Sequence, residues 1–356
     1  MMSYRCIDLL SEGIRHGAIP SAAVAVGRGR QVYLTTVLGY KTTQPTPEPA
    51  DLHTLYDLAS LTKLVATTMV ALRMLDEGKL LLTHTLSRYF SEDELSQAAD
   101  GRRDVTVFQL MTHTSGLTPH MPLWKMTSRP DEAPAAILAS PPVCQPGTQV
   151  YYSCMGYILL GKILERIGEK PLDVLARKMV FEPLGMAETG YLPTTDNVAT
   201  TEYSTMRNAY IKGEVHDENA HYLEGISGNA GVFSSLGDMT TFAMMLSEHG
   251  RTPTGRFLSD RTFGLAIQNF TPGLSESRGL GFQLKPPVPA LSAMGDLMTE
   301  GSYGHTGFTG TSLYVDAKDG LWGVLLTNAV HFGRDKTAFL DIRRRFYNAM
   351  VGDFSQ

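Results

Sequence analysis

Charge of one sign, long apolar runs and paired cysteines are all scarce in this chain, and each scarcity closes off a class of function. The net charge is −5 over 356 residues, with no run rich in Lys and Arg, so no nucleic-acid partner is expected. No apolar run approaches the roughly 20 residues that span a bilayer, so no membrane span is expected. Met1 to Arg15 mixes polar and apolar residues at helical spacing, unlike the unbroken apolar stretch of a secretory signal. Cys6, Cys144 and Cys154 are an odd number; with no export signal they read as reduced thiols of a cytoplasmic protein. Internal repeats and low-complexity tails are absent. The stretch His216-Asp217-Glu218-Asn219-Ala220-His221 lacks zinc-ligand spacing, so it reads as a loop bordering a cleft, and neither a metal nor another cofactor is expected.

What is present describes a globular protein, 43% hydrophobic and 19% charged, long enough for two domains or one large domain with an insertion. Periodicity predicts a helix over 4–16, then strands over 21–27 and 31–39. Pro45, Pro47 and Pro49 make 41–51 an extended connection. Helical patterns dominate the middle, including 155–167 with Gly168 as its stop and a helix opened by Pro171 that runs to about Val180. Residues 190–222 are polar and irregular, and a glycine-rich stretch over 225–231 leads to a helix near 238–248. Strands follow at 279–285, 311–316 and 321–327, the last two joined through Ala317-Lys318-Asp319-Gly320, and a final helix covers 335–350. The economical arrangement is an α+β fold. Residues 1–55 and 225–356 form an antiparallel sheet with flanking helices, 56–224 form a mostly helical insertion, and the active site lies in the cleft between them.

Chemistry enters at Ser60-Leu61-Thr62-Lys63. Leu61, Leu64, Val65, Met69, Leu72 and Leu75 recur at helical spacing, so Ser60 sits at a helix start and Lys63 lies one turn on, on the same face. Free N–H groups and the helix dipole favour negative charge at Ser60, and Lys63 can take the hydroxyl proton. Two later stretches extend the pattern. Tyr152 lies on a turn just before a helix, and Gly304-His305-Thr306-Gly307-Phe308 precedes the hairpin, with glycines that allow close backbone approach. His113, within Leu110 to Leu117, has the capping-box pattern of Thr106 and Gln109 ahead of it and a Gly turn after it, and reads as structural. Ser227-Gly228-Asn229 imitates a functional S-x-N but reads better as a glycine loop. Asn328, His331 and Arg334 follow the last strand, where substrate contact and a solvated loop are equally open.

The order Ser-x-x-Lys, Tyr-Ser-x, His-Thr-Gly resembles the serine β-lactamase and penicillin-binding protein family, in its class C-like branch of β-lactamases, D-peptidases and esterases. The resemblance also takes in Leu110 to Leu117, Pro146 to Gly161, Phe181 to Met186, Gly228 to Ser235 and Leu326 to His331. It implies a β-lactamase/transpeptidase-like fold and an acyl-enzyme on Ser60. It further implies that Lys63 and Tyr152 share the general-base work, that His305 stands where relatives carry Lys or His, and that the Ser60 and Phe308 N–H groups form the oxyanion hole. Cys154 occupies the position of the family's Asn, and a thiol cannot replace a carboxamide that contacts an acylamide. That departure, with His305 in place of Lys, points to carboxylesterase-like cleavage of small esters and leaves room for weak β-lactam hydrolysis. The alternatives are a β-lactamase or D-amino-acid peptidase, and a penicillin- or peptidoglycan-binding module without turnover. Cys154, Tyr151, Tyr222, Thr306, Gly307 and Asn328 are the expected substrate contacts, and Trp124, Phe308 and Phe332 are further candidates for an acyl pocket.

Overall fold

Strand Ser21–Arg28 (β1) reads SAAVAVGR and is apolar on both faces. Side chains alternate across a strand. In the computed structural model, which describes residues 4–355, Ala22, Val24 and Val26 enter one core with Leu10, Phe346, Tyr347 and Met350. Ala23 and Ala25 enter the other, with Leu64, Leu160, Leu246 and Val324. A strand buried on both faces belongs in the middle of a sheet, and β1 lies there. It pairs with Gln31–Thr42 (β2), which pairs with Glu48–Pro49 (β3). On its other side follow, from the far edge inward, Gln283–Leu284 (β4), Tyr303–Thr306 (β5), Ser312–Val315 (β6) and Leu321–Leu326 (β7). The order is β4-β5-β6-β7-β1-β2-β3, antiparallel throughout. This is the expected α+β, β-lactamase/transpeptidase-like architecture.

Helices Arg5–Arg15 and Thr337–Phe354 pack on each other over one face. Helix Leu236–Ser247 covers the opposite face, against β1, β6 and β7. The β6–β7 hairpin closes at Gly320, φ +70°, with its N–H on the Asp316 carbonyl at 3.0 Å. Among the described residues no helix is long and apolar enough to cross a membrane.

Several local expectations change. The helix after Ser60 is not a single α-helix: Lys63–Thr68 is a π-helical turn and regular α geometry begins at Met69. Such turns widen a helix locally and cluster at functional sites. Gly168 ends no helix by its own backbone. Glu169 takes the left-handed cap, φ +50°, whereas a Cβ on Gly168 would lie 2.6 Å from Leu175 Cδ2, so glycine is there for packing. Pro171 is the cap rather than the first residue of helix Leu172–Ala176, which continues through a π turn at Arg177–Phe181 to Leu184. The expected strand at 279–285 shrinks to β4. Residues 190–222 are not wholly irregular, since helix Glu218–Tyr222 forms on the cap that Asp217 gives the Ala220 N–H at 2.8 Å.

A second, three-stranded sheet had no counterpart in the sequence pattern. Tyr56–Asp57 pairs with Val232–Ser234, which pairs with Gly190–Tyr191. Two-residue strands carry no alternation to read, yet this one delivers the chain to Ser60.

Candidate active site

Ser60 stands in a single 3-10 turn, Ala59–Leu61. Ala59 has φ +46°, a left-handed conformation that residues with side chains seldom adopt. Asp57, 2% exposed, fixes it: Oδ1 accepts the Ala59 N–H at 2.8 Å and Oδ2 accepts the His216 N–H at 2.7 Å. Strain of about 1–3 kcal/mol persists only where surroundings over-determine it. The end of β5 closes on the same turn. Thr311 Oγ1 donates to the Leu58 carbonyl at 3.0 Å and Thr309 Oγ1 to the Asp57 carbonyl at 2.6 Å. A Cβ on Gly307 would lie 2.3 Å from the Leu58 oxygen, so only glycine permits this approach. Ser60, Tyr152, His305, Thr306, Gly307 and Phe308 consequently line one cleft of about 380 Å³.

Lys63 is fully buried. Its Nζ donates to Ser60 Oγ at 3.0 Å and to the Asn229 carbonyl at 2.9 Å, and lies 3.5 Å from Cys154 Sγ. Asn229 thus contributes through its backbone, and Ser227-Gly228-Asn229 is the glycine loop that presents it. Tyr152 is placed from the other side. The His113 carbonyl accepts the Tyr151 N–H at 2.9 Å, and His113 Nδ1 accepts the Ser153 N–H at 3.0 Å. The His113 and Tyr152 rings stand 4.5 Å apart. Burial, then the cations Arg278 and Lys63, hold His113 well below the usual imidazole pKa, so it is neutral and structural.

The protons of the cluster follow from burial and charge. Burial by itself disfavours the Lys63 ammonium, but Cys154, Tyr152 and Asp217 outweigh it and leave its pKa raised. Burial raises Tyr152 more than Lys63 lowers it, and the same balance raises Cys154. At rest the site therefore holds an ammonium, a phenol and a thiol. Tyr152 Oη feels both Ser60 and Lys63 yet is buried without a well-formed hydrogen bond, as catalytic groups often are before substrate arrives. His305 Nδ1 lies 2.7 Å from the Thr306 carbonyl. A carbonyl only accepts, so Nδ1 carries the proton and the buried, unpartnered Nε2 keeps its lone pair. Burial, Arg278 and Lys63 bring the His305 pKa down to about 3.

The outer wall of the cleft is cationic, a feature the sequence motifs did not reveal. Arg278, Lys336 and Arg343 line it with Glu276 as the single acid, and Glu276 is already paired with Arg278. Lys336 Nζ sits 3.3 Å from the centre of the Phe308 ring and donates to the Phe308 carbonyl, while His216 stacks on that ring at 5.6 Å. Phe308, 44% exposed, is thereby held between two side chains at the cleft mouth. Burial, followed by Arg343 and Arg334, brings the Lys336 pKa down to about 8.

Three of the expected substrate contacts lie elsewhere. Asn328 is 1% exposed; it accepts from Ser21 Oγ and donates to the Lys41 and Thr200 carbonyls, stitching chain segments together away from the cleft. Tyr222 spends its hydroxyl on Thr127. Tyr151 adjoins Tyr152 in sequence but is not part of the cleft lining. His331 bonds Thr200, Thr201 and Thr43, and Arg334 bridges Glu202 and Glu218. Cys154 lies 3.5 Å from Lys63 Nζ, beside the catalytic pair, and is not itself among the residues that line the cleft. In the 216–221 stretch, His216 meets Glu202 at 3.1 Å, and among the described residues no group of three or more His, Cys, Asp or Glu is arranged to hold a metal.

The beta-lactamase family profile matches residues 7–344. The chain is 29% identical to the N-acetylmuramyl-L-alanine amidase of Bacillus subtilis strain 168, covering 92% of this chain and 81% of that protein. It is 30% identical to a putative D-alanyl-D-alanine carboxypeptidase of Escherichia coli O157:H7, over 80% of this chain and 71% of that one. The fold is shared with EstCE1, described as a hydrolase with promiscuous acyltransferase activity, at a TM-score of 0.78 and 23% identity, covering 96% and 97% of the two chains.

Proposed function

The chain belongs to the beta-lactamase family of serine hydrolases, and from that premise we propose that it forms an acyl-enzyme on Ser60 and cleaves small esters as a carboxylesterase-like enzyme. The observation that carries the reading is the 3.0 Å contact between Lys63 Nζ and Ser60 Oγ at the floor of the cleft. Lys63 and Tyr152 form one proton-handling unit. In its singly deprotonated form that unit takes the Ser60 hydroxyl proton as Ser60 attacks and returns it to the leaving group when the adduct collapses, while the Ser60 and Phe308 N–H groups receive the oxyanion. His305, neutral with a free Nε2, accepts a hydrogen bond instead of offering a cation. No cofactor takes part.

A second reading, a D-amino-acid peptidase, is favoured by the names of the relatives and by the cationic wall. Cys154 argues against it. The position 3.5 Å from Lys63 holds a thiol, which offers an incoming amide neither a strong donor nor a strong acceptor. A steady-state panel of p-nitrophenyl esters, a chromogenic cephalosporin and D-Ala-D-Ala peptides separates the readings: kcat/KM is expected to be highest on the esters, and highest values on the peptides would replace the esterase reading by the peptidase one. In the same panel Cys154→Asn is expected to raise cephalosporin kcat/KM relative to a short ester by several-fold. One recovered hydrogen bond to a neutral amide is worth about 0.5–1.5 kcal/mol. An unchanged ratio in a folded variant would remove Cys154 from the account of specificity.

A further inference from the structure

Two cations bear on the Tyr152 ring: Lys63 Nζ, 5.1 Å from its centre, and the guanidinium carbon of Arg278, 5.2 Å from it. Arg278 reaches this place on a rigid footing. Its N–H donates to Thr271 Oγ1 and its carbonyl accepts the Phe270 N–H, both at 2.9 Å, and it faces Gln283 of β4 across an antiparallel bridge. Arg278 is 4% exposed and its Nε is buried without a partner. Among the described residues its only ion pair is with Glu276, whose side chain is 41% exposed at the cleft. A guanidinium held this far from water is costly, so its presence beside the reacting groups calls for a function. The other titratable groups around Tyr152 offer no positive charge. The His113 and His305 rings, 4.5 and 5.8 Å away, are held neutral by burial first and then by Arg278 itself. Burial also keeps the protons on the Cys154 thiol, on its own helix, and on the phenols of Tyr157 and of Tyr314 from β6.

Resting on the hydrolase reading above, we infer that Arg278 is a positioning residue for proton transfer: its fixed charge over the Tyr152 ring stabilises the deprotonated form of the Lys63–Tyr152 pair that accepts the Ser60 proton. A guanidinium is a permanent cation. When the pair gives up a proton it becomes less positive by one charge, whichever of the two residues loses it, and a neighbouring cation favours that loss. The effect is large because the wall is dry. Arg278 forms no bond in the step and exchanges no proton; the Ser60 proton passes to the pair and from it to the leaving group. The neutral His305 supplies no cation from β5, and the stretch leading into β4 supplies it instead. Glu276 works in the opposite sense, because its carboxylate cancels part of the Arg278 charge.

The test uses the full chain and an uncharged ester, p-nitrophenyl butyrate, which offers a guanidinium no anion to bind. Arg278→Gln should lower kcat by about tenfold at every pH on the rising limb, a displacement of that limb upward by about one pH unit, with KM changed by less than about twofold. Arg278→Lys should recover most of the loss. Glu276→Gln keeps an acceptor for the guanidinium and removes the opposing charge, so it should raise kcat at neutral pH by about threefold. Opposite signs at the two ends of one ion pair are the mark of a field, since a pair that only held the fold together would lose activity from either end. The rate at which a serine-directed fluorophosphonate labels Ser60 reads removal of the hydroxyl proton without turnover, and the variants should rank in the same order. If Arg278→Gln does not fold, Arg278→Lys and Glu276→Gln, which both keep a cation at 278, decide the matter. An undisplaced limb in Arg278→Gln, a loss carried by KM, no recovery in Arg278→Lys, or a fall in Glu276→Gln would overturn the inference while normal labelling of Ser60 left the hydrolase reading standing. An unsubstituted protein that neither cleaves the ester nor is labelled at Ser60 would overturn both.

Discussion

Replacing Ser60 by alanine is expected to lower kcat on p-nitrophenyl butyrate by about 10,000-fold or more and to leave KM and the melting temperature close to their original values. The size follows from the site acting as a unit: without the nucleophile, Lys63 and Tyr152 have nothing to activate. Lys63 Nζ has three partners, Ser60 Oγ, the Asn229 carbonyl and Cys154 Sγ. A carbonyl is no nucleophile, and the Cys154 pKa is raised by burial, so the thiol holds its proton and is a poor substitute. The fold should tolerate the change, since the strained link at Ala59 is fixed by Asp57 and not by the serine hydroxyl. Activity within tenfold of the unsubstituted enzyme would place the nucleophile elsewhere.

The second large effect is expected at the proton-handling pair. Lys63→Ala and Tyr152→Phe should each reduce kcat by about 100- to 10,000-fold, the range of general acid–base catalysis. The double variant should fall well short of the product of the two losses, because either deletion breaks the same relay. The pH profile carries the same information. Both pKa values are raised in the folded protein, so the form that can accept the Ser60 proton is the minor one at neutral pH. kcat/KM should therefore climb with pH through the alkaline range, with apparent values that belong to the pair. His305, held near pKa 3, is already neutral above about pH 5 and should give no inflection between pH 6 and 7. A bell centred near neutrality that disappears in His305→Gln would transfer the base role from the pair to the imidazole.

The parts of the site legible in the sequence are those set by local spacing. Ser60 and Lys63 are three residues apart and Tyr152 precedes a helix, so their types and turns can be read before any tertiary contact exists. The SAAVAVG run, apolar on both faces, marked a strand, and its central position was recoverable from the same pattern. The π turn at Lys63–Thr68 was not, because it depends on what Lys63 meets across the core: the Asn229 carbonyl, 166 residues away. Asp57 was missed for the same reason. Its function is to accept two backbone N–H groups, one of them from His216, and nothing near Asp57 in the chain announces it. Asn328 was misread because a polar residue after a strand invites a binding role, whereas its amide serves carbonyls at Lys41 and Thr200. Arg343 did leave a signal. A charged residue on an otherwise apolar helical stripe breaks the amphipathic pattern.

The central claim is that Ser60 carries the acyl group during turnover. Rapid acid quench of the enzyme with p-nitrophenyl butyrate, followed by intact-mass measurement and peptide mapping, reads this directly. One added butyryl group is expected, located on the peptide containing Ser60 and absent in Ser60→Ala, with Cys154 unmodified. A butyryl group mapped to Cys154 or to any other residue, or full turnover with no adduct at any quench time under conditions where deacylation is slowed, would contradict it.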